Sequence, residues 1–515
     1  MNERIKKSAI AITGITLLCK LIGFFKNILL AKYWGTGAVV DAYVMVFAVG
    51  NIVFGWIGGF TGNFTPEYKR LIITSNKEKA DLFADNLRNW LLIITLTFVI
   101  IFEVFAETIV HIVAPGYSGD VYQLTVYFWK IYSVSFFALV LYRLYKEYIN
   151  CNEKYEQAIL PDLLMSSVSI IAIVISAYTQ KEVLIWGYVV AIVLEAFIER
   201  GLAYKLGLKT KFILKYDDSI KKILLAVLPM FLSDTLVEIN SFVDKIFASS
   251  LDVGTMSVLE YANNIKNIAY ETGVIAVVTI IYPKMSELWA KKEDELFINS
   301  IVKNIRFMSF IFIPITFGLI AVGKYLVAFI YQRGAFTENS TILTTNVLIM
   351  YSLGLLAMVI RLIMNKAFCA MQKTRFVLFT SCINVIVNII CNCILVRYFG
   401  MLGLAFSTSI AAIVSSLVSI LIVIKKFKLK TKNHMVELIK MIFSAIIMFL
   451  VIVVVRKYWL DGVEFGVCTF IIQLVIGTVI GILTYIIIAY ILRTEELMKL
   501  IENLKIKLNG NYRRQ

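Results

Sequence analysis

Only 2 histidines, 6 prolines and 17% charged residues occur in the 515 positions of the chain, and each shortage removes a class of function. His111 and His434 both fall near the ends of apolar runs, so histidine metal cages and His-based hydrolysis have almost no material. Hydrophilic stretches long enough to fold as a separate domain are missing, which excludes a soluble enzyme on a single anchor. The glycines Gly58, Gly59 and Gly62 have no strand pattern before them and no Lys-Ser or Lys-Thr after them. They read as close helix packing rather than a nucleotide fingerprint. A disulfide framework is lacking too. Cys19, Cys369, Cys382, Cys391, Cys393 and Cys468 lie inside apolar runs and Cys151 in a short loop, as small hydrophobes.

What remains is apolar. Hydrophobic residues make up 59% of the chain and mean hydropathy is +0.81, beyond what a water-soluble fold carries, so the sequence predicts a membrane protein. A hydrocarbon core of about 30 Å takes about 20 apolar residues per helix. Counting on that basis gives fourteen spans, at 8–33, 39–62, 89–113, 121–145, 157–178, 183–204, 223–249, 258–283, 305–322, 341–371, 376–396, 402–424, 436–455 and 465–492. The expected fold is an all-α polytopic bundle of fourteen transmembrane helices. Six spans, six more after the longest basic loop, and a final two suit a transporter of two related halves. The expected divisions are an N-lobe at 1–206, a C-lobe at 207–432, two further helices at 433–492 and a basic tail at 493–515.

The formal charge of +16 is carried mostly between spans. With the amino terminus in the cytoplasm, most Lys and Arg fall on the inner side, among them Lys205, Lys209, Lys211, Lys215, Lys221, Lys222 and Lys425, while outer loops such as 114–120 are nearly free of cations. Both termini are therefore expected inside, and anionic headgroups rather than nucleic acid account for the basic balance. The tail after Leu492 has apolar residues at helical spacing and is expected along the inner surface. Pro66, Pro161, Pro229, Pro283 and Pro314 fall inside or near spans and predict bends, because each interrupting proline removes a backbone hydrogen bond.

Eight cations lie within the spans: Lys20, Lys26, Lys130, Arg143, Lys245, Lys266, Arg361 and Lys366. Each costs about 2.5–3.5 kcal/mol at a helix centre, less where it snorkels. Lys130, Arg143 and Lys366 are near enough to an interface to snorkel. Lys20 lies about 12 residues into its helix, roughly 18 Å at 1.5 Å per residue. Lys26 is turned about 120° from it, so the pair suits a wide polar cavity. Asp244 beside Lys245 is the clearest mid-membrane acid, either a locally neutralised pair or an ion or proton site. Asn388 and Asn392 share a helix face, as do Leu404 and Thr408 on the next span, and with Asp244 they would give a hard cation an oxygen-rich site. Glu195, Glu199, Glu238, Glu260 and Glu271 lie within or near helix ends, as coupling groups or as interfacial residues. No residue is expected to be catalytic and no other metal site is expected. The chain reads as a transporter, not an enzyme.

Several segments resemble the MurJ/MviN family of lipid II flippases, within the multidrug/oligosaccharidyl-lipid/polysaccharide (MOP) exporter superfamily. Lys20-Leu21-Ile22-Gly23-Phe24-Phe25-Lys26, then Gly35-Thr36-Gly37 and Asp41-Ala42-Tyr43, look like that family's first two helices. Ala114-Pro115-Gly116-Tyr117 resembles its outer loop after the third span. Tyr261-Ala262-Asn263-Asn264, Gln332-Arg333-Gly334-Ala335-Phe336-Thr337 and Gly400-Met401-Leu402-Gly403-Leu404-Ala405 continue the match.

The resemblance implies a MurJ-like, MATE-like bundle in the bacterial cytoplasmic (inner) membrane, with two six-helix lobes and two last helices forming a lipid groove. It implies export of an undecaprenyl-pyrophosphate-linked precursor, lipid II, from inner to outer leaflet by alternating access, in the service of peptidoglycan and cell wall biogenesis and cell shape. Carried over by position, the substrate-binding set is Lys20, Lys26, Asp41, Asn263, Asn264 and Lys266, and a sodium site falls on Asp244, Asn388, Asn392, Leu404 and Thr408. No cofactor is implied beyond sodium as a coupling ion. The implied partners are the lipid-linked substrate and membrane lipids for a monomer, with a cell-envelope synthesis complex as the assembly it would join. Departures are visible. Lys20 and Lys26 stand where arginines are typical, Phe54 and Gly55 where basic residues are frequent, Asn263-Asn264 where an acidic-basic pair is common, and Asn392 where an acid is frequent. A thinner phosphate clamp leaves open an exopolysaccharide or teichoic-acid precursor. A multidrug or cation antiporter would want acids dominating the cavity, and a non-transporting scaffold is the remaining alternative.

Overall fold

The computed structural model describes residues 3–427, 432–460 and 467–512. The side chains of Pro229, Glu238, His434 and Cys468, singled out above, lie outside the described residues. The chain forms two compact units, Met1–Ser257 with Arg333–Phe336, and Val258–Gln332 with Thr337–Gln515.

The first unit holds α1 (Glu3–Trp34), α2 (Ala38–Val53), α3 (Gly55–Thr74), α4 (Lys77–Val104), α5 (Ala106–Val113), α6 (Gly119–Val134), α7 (Phe136–Cys151), α8 (Tyr155–Tyr178), α9 (Val183–Lys205) and α10 (Asp218–Ser249). Starts are fixed where a polar residue precedes an apolar run. The Asn76 side chain accepts from the Lys79 amide at 2.9 Å and the Asp217 side chain from Ile220 at 2.9 Å, each satisfying an orphan helix donor. Aromatic rings fill the core. Phe47 lies against Tyr43, Tyr132 and Tyr188 at 4.6–4.9 Å between centroids.

The second unit holds α11 (Thr255–Ala276), whose first turn belongs to the first unit, a π turn at Val277–Ile281, α12 (Tyr282–Ala290), α13 (Asp294–Tyr331), α14 (Glu338–Ser352), α15 (Leu355–Ala370), α16 (Thr374–Phe399), α17 (Met401–Phe427), α18 (Lys432–Val455), a π turn at Arg456–Leu460, α19 (Val467–Ile491) and α20 (Glu495–Tyr512). One apolar core gathers α12, α13 and α15 around Met285, Phe297, Phe312 and Phe368. A second packs α13 against α18 and α19 through Ile313, Met448, Ile452 and Tyr485.

Among the described residues, nine helices are long and apolar enough to cross a membrane, or twelve if each of three bent pairs is one span. α9 and α10 are also long, and α9 carries Glu195, Glu199 and Arg200 inside its apolar run. This is compatible with the fourteen spans expected, and the all-α membrane bundle is what the chain forms.

The expected bends are corrected in part. Pro283 lies in the first turn of α12, directly after the 277–281 π turn, an interruption where a bend was expected. Pro161 and Pro314 pass inside α8 and α13 and Pro66 inside α3, without ending those helices. The breaks above 40° fall instead between α2 and α3, α6 and α7, and α14 and α15. Packing and side-chain capture decide them. Phe54, 4% exposed, stacks at the first break on Phe136 at the second. The Ser135 hydroxyl donates to the Tyr132 carbonyl at 2.6 Å. Gly354 sits where a Cβ would come 2.6 Å from Cα of Ser409, so α17 enters the third break. Spans two and four of the first six are broken, and spans eight and ten of the second six are interrupted by the 277–281 π turn and the α14–α15 break. Interruptions at matching places favour related halves.

Candidate functional site

α1 lies along α8. Its far end is fixed there by the Trp34 indole, which donates to Ser176 Oγ at 3.0 Å, and by the edge contact of Tyr33 with Tyr178. Nearer the start, Lys20 is exposed on the first unit and Lys26 half-buried. The 120° offset puts them on neighbouring faces of one helix.

Asp41, 1% exposed, is placed by the first turn of α2. Oδ2 accepts from the Gly254 amide at 2.6 Å and Oδ1 from the Ser257 amide at 2.8 Å. The carboxylate thus satisfies amides at the start of α11, where a helix amino terminus favours negative charge. Three segments that carried the family resemblance gather at this same end of the first unit. A Cβ on Gly116 would lie 2.3 Å from Ser250 Cα, so the Ala114–Tyr117 loop touches the backbone after α10. The Ala335 amide donates to the Lys32 carbonyl at 2.7 Å, which seats the 333–336 loop on the end of α1. Gly334 there has φ +62, and a Cβ would stand 2.3 Å from the Lys32 oxygen, so glycine meets both the left-handed backbone and the close approach. Sequence reasoning named the motifs but missed Ser250, Gly254 and Ser257, their partners; small residues around a turn give no distinctive signal.

In the second unit, Asn263, Asn264 and Lys266 follow one another on α11. Lys266 is 7% exposed with its ammonium 4.9 Å from the Tyr351 ring centroid, a cation–π contact. Asn264 Nδ2 is buried and meets no acceptor among the described residues. Tyr270, one turn beyond Lys266, feels the charge of Arg361 on α15. Lys366, expected to snorkel, has its ammonium 5.3 Å from the Tyr282 ring centroid. Lys266, Tyr270, Tyr351 and Arg361 thus form a basic and aromatic group that spacing alone did not assemble.

The proposed cation ligands divide between the units. Asp244 is half-buried in the first. In the second, Asn388 and Asn392 are fully buried, and Asn392 Nδ2 donates to Asn388 Oδ1 at 3.2 Å. The Thr408 hydroxyl donates to the Leu404 carbonyl at 3.1 Å. α16 and α17 form an antiparallel pair in which Ser415 donates to Asn384 Oδ1 at 3.2 Å, a register that sets Asn392 level with 407–408. Four of the five proposed ligands therefore lie on one packed helix pair.

Two features outside these sets complete the picture. An apolar groove of about 550 Å³ runs between α13, α18 and α19, where Gly318, Gly477 and Gly481 lower its walls. One turn before the groove residue Phe310, Arg306 of α13 bonds Glu495 at 2.5 Å and ion-pairs with Glu496 at 3.0 Å, and Glu437 accepts from the Glu495 amide at 2.9 Å. The Arg306 guanidinium, then Lys499, holds the Glu495 carboxyl down at about 2, below its ordinary 4.5. A lowered carboxylate supports the docked state above its ordinary value and loses that support as pH falls toward the lowered one. Protection of the amides at the start of α20, relative to their unfolded exchange rates, should therefore be full at neutral pH and decline as pH drops from 4.5 toward about 2, and Arg306→Ala should weaken that dependence. In the first unit, the basic loop before α10 is strapped to α4. Asp85 accepts from the Lys211 amide, Arg88 and Asn89 donate to the Lys211 carbonyl, and Asn86 exchanges two bonds with Lys215. The polar run 85–89 at the head of an otherwise apolar helix was its only sequence signal.

The family model described as "Lipid II flippase MurJ" matches residues 30–476. A curated relative from Thermosipho africanus, "Lipid II flippase MurJ", is 26% identical over 491 residues, covering 94% of this chain and 96% of the relative. One from Buchnera aphidicola, "Probable lipid II flippase MurJ", is 26% identical over 422 residues, covering 79% and 81%. Among solved structures, "Lipid II flippase MurJ, inward closed conformation" superposes with a TM-score of 0.78 at 25% identity, covering 94% of this chain and 98% of that one. An inward-facing MATE family transporter of the MOP superfamily superposes at 0.66 with 16% identity, covering 80% of this chain and 96% of that one, a likeness of fold. The chain belongs to the MurJ lipid II flippase family.

Proposed function

We propose that the protein carries lipid II, an undecaprenyl-pyrophosphate-linked cell-wall precursor, from the inner to the outer leaflet of the bacterial cytoplasmic membrane. The observation that carries this reading is similarity to MurJ proteins along nearly the whole chain, in sequence and in fold. Both termini lie in the cytoplasm, and the lobes at 1–206 and 207–432 open alternately. Lys20 and Lys26 draw the pyrophosphate into the cavity as point charges, without the bidentate fork of arginine. Lys266, held against the Tyr351 ring, belongs to the same substrate-binding set, with Asn263 and Asn264 beside it on α11. Asp41 keeps the start of α11 in place. The 433–492 helices guide the polyprenyl tail, and the groove beside α13 is apolar enough to hold one. An inside-negative potential favours outward movement of an anion by about 2.3 kcal/mol per charge per 100 mV.

Sodium is proposed as the coupling ion, at Asp244, Asn388, Asn392, the Leu404 carbonyl and Thr408, all hard oxygen donors. Asn392 leaves the site one formal charge short of an acid there. Asn392→Asp should lower the sodium concentration giving half-maximal transport by roughly tenfold, the effect of about 1.4 kcal/mol, and Asp244→Ala should abolish sodium dependence. Sodium-independent transport in the parent protein, with a silent Asp244→Ala, removes this part.

Depletion in the native cell tests the substrate. Lipid II should accumulate on the inner leaflet. A different lipid-linked oligosaccharide accumulating instead would support the second reading, an exopolysaccharide or teichoic-acid precursor. That reading is favoured by Phe54, which is spent on packing against Phe136 where relatives often place a cation.

A further inference from the structure

The first unit holds a second group of charges that the flippase reading does not use. α9 packs on α6, α7 and α8, and α1 packs on α8. On α9, Glu195 and Glu199 lie one turn apart at 1% and 0% exposure, and no oxygen of either carboxyl meets a hydrogen-bond donor. From α8, Asp162 faces them. From α7, Lys146 points its ammonium at Asp162, 2.6 Å from Oδ1 and 2.7 Å from Oδ2.

We propose that Glu195 and Glu199 form a proton-binding site, each carboxyl held neutral beside the Asp162–Lys146 ion pair. The charge count requires it. Three carboxyls share one ammonium, and both Asp162 oxygens already take it. Two further bare carboxylates, buried and side by side, would repel each other and lack the partners that make a buried charge tolerable. The Glu195 carboxyl also lies against that of Asp162, and two carboxyl groups bond to each other only with a proton between them.

Among the described residues, Lys146 is the cation whose charge falls on both glutamates. The titratable neighbours among the described residues include Tyr142 and Arg143 of α7, Tyr132 of α6, Tyr188 of α9 and Cys19 of α1. The charge of Arg143 falls on Tyr132 and Tyr188, and exposed Arg200 acts at Tyr145. A metal ion fits less well, because Lys146 occupies Asp162 and no set of three ligating side chains converges among the described residues. The site is distinct from the proposed sodium ligands, none of which it shares. Entry of water beside α9 would let the protons leave, so the protonation state reports whether this part of the first unit is sealed.

Infrared difference spectroscopy on the full chain in lipid nanodiscs at pH 7 reads the site directly through the protonated-carboxyl stretch and its deuterium shift. The parent protein should show the band, Glu195→Gln and Glu199→Gln should each remove part of it, and the double variant should remove that share entirely. Asp162→Asn should also weaken it, because it frees Lys146 to ionise Glu195. No band in the parent protein, or a band unchanged in the double variant, overturns the proposal. So does loss of the band on adding sodium at constant pH, which would make this a cation site. The readout does not involve flipping, so it stands or falls separately from the choice of transported lipid.

Discussion

Replacing Lys20 and Lys26 together with alanine is expected to abolish complementation in flippase-depleted cells while leaving the protein folded. Each charge-assisted hydrogen bond to a phosphate is worth about 1.5–3 kcal/mol, so losing two lowers capture of the headgroup by roughly 10²–10⁴-fold at 1.4 kcal/mol per decade. The fold should tolerate the change. Lys20 is exposed and Lys26 half-buried, and α1 is also anchored through Trp34 and Tyr33. Arginine at both positions should retain activity or improve it, since the cation is kept and the bidentate geometry gained. The measurements are viability on depletion and thermal melting of the purified variants. Normal growth with the double alanine variant, expressed to the parent level, would remove the proposed clamp.

Asp41→Ala should act in the opposite way, through the fold rather than through the headgroup. Both carboxylate oxygens serve buried backbone amides, at 2.6 and 2.8 Å. Truncation removes two hydrogen bonds to a charged acceptor and strands two donors, a loss of about 3–6 kcal/mol. That is a large part of the margin of any folded unit. Melting should fall sharply, with faster amide exchange at Gly254 and Ser257. Asp41→Asn keeps one side-chain acceptor and should fall between. Melting and exchange unchanged in Asp41→Ala would show that the start of α11 is held by other contacts.

These two predictions separate residues that the sequence placed in one substrate-binding set. Lys20 and Asp41 were selected by the same means, position in a motif, and a motif preserves the identity of a residue without saying which atoms it meets. The buried Asn388–Asn392 pair was legible because both residues lie on a single helix with a fixed period. The Lys266–Tyr351 contact was not, because its partners are separated by 85 positions. Proline marked only some of the interruptions, for a related reason. A missing backbone donor predicts local weakness, but neighbouring helices can absorb it, whereas Phe54, Ser135 and Gly354 mark breaks through contacts made far along the chain.

Apolar run length by itself determined that this is an all-α membrane protein, because hydrocarbon admits a backbone only if its hydrogen bonds close locally within each helix. Local motifs were enough for the family. Only the tertiary structure decided that Asp41 holds the start of a helix, that the 333–336 loop joins the first unit, and that Glu195 and Glu199 lie buried with one ammonium already committed to Asp162. Those outcomes depend on which groups of distant segments meet once water is excluded. A pattern with a period of a few residues carries no record of that.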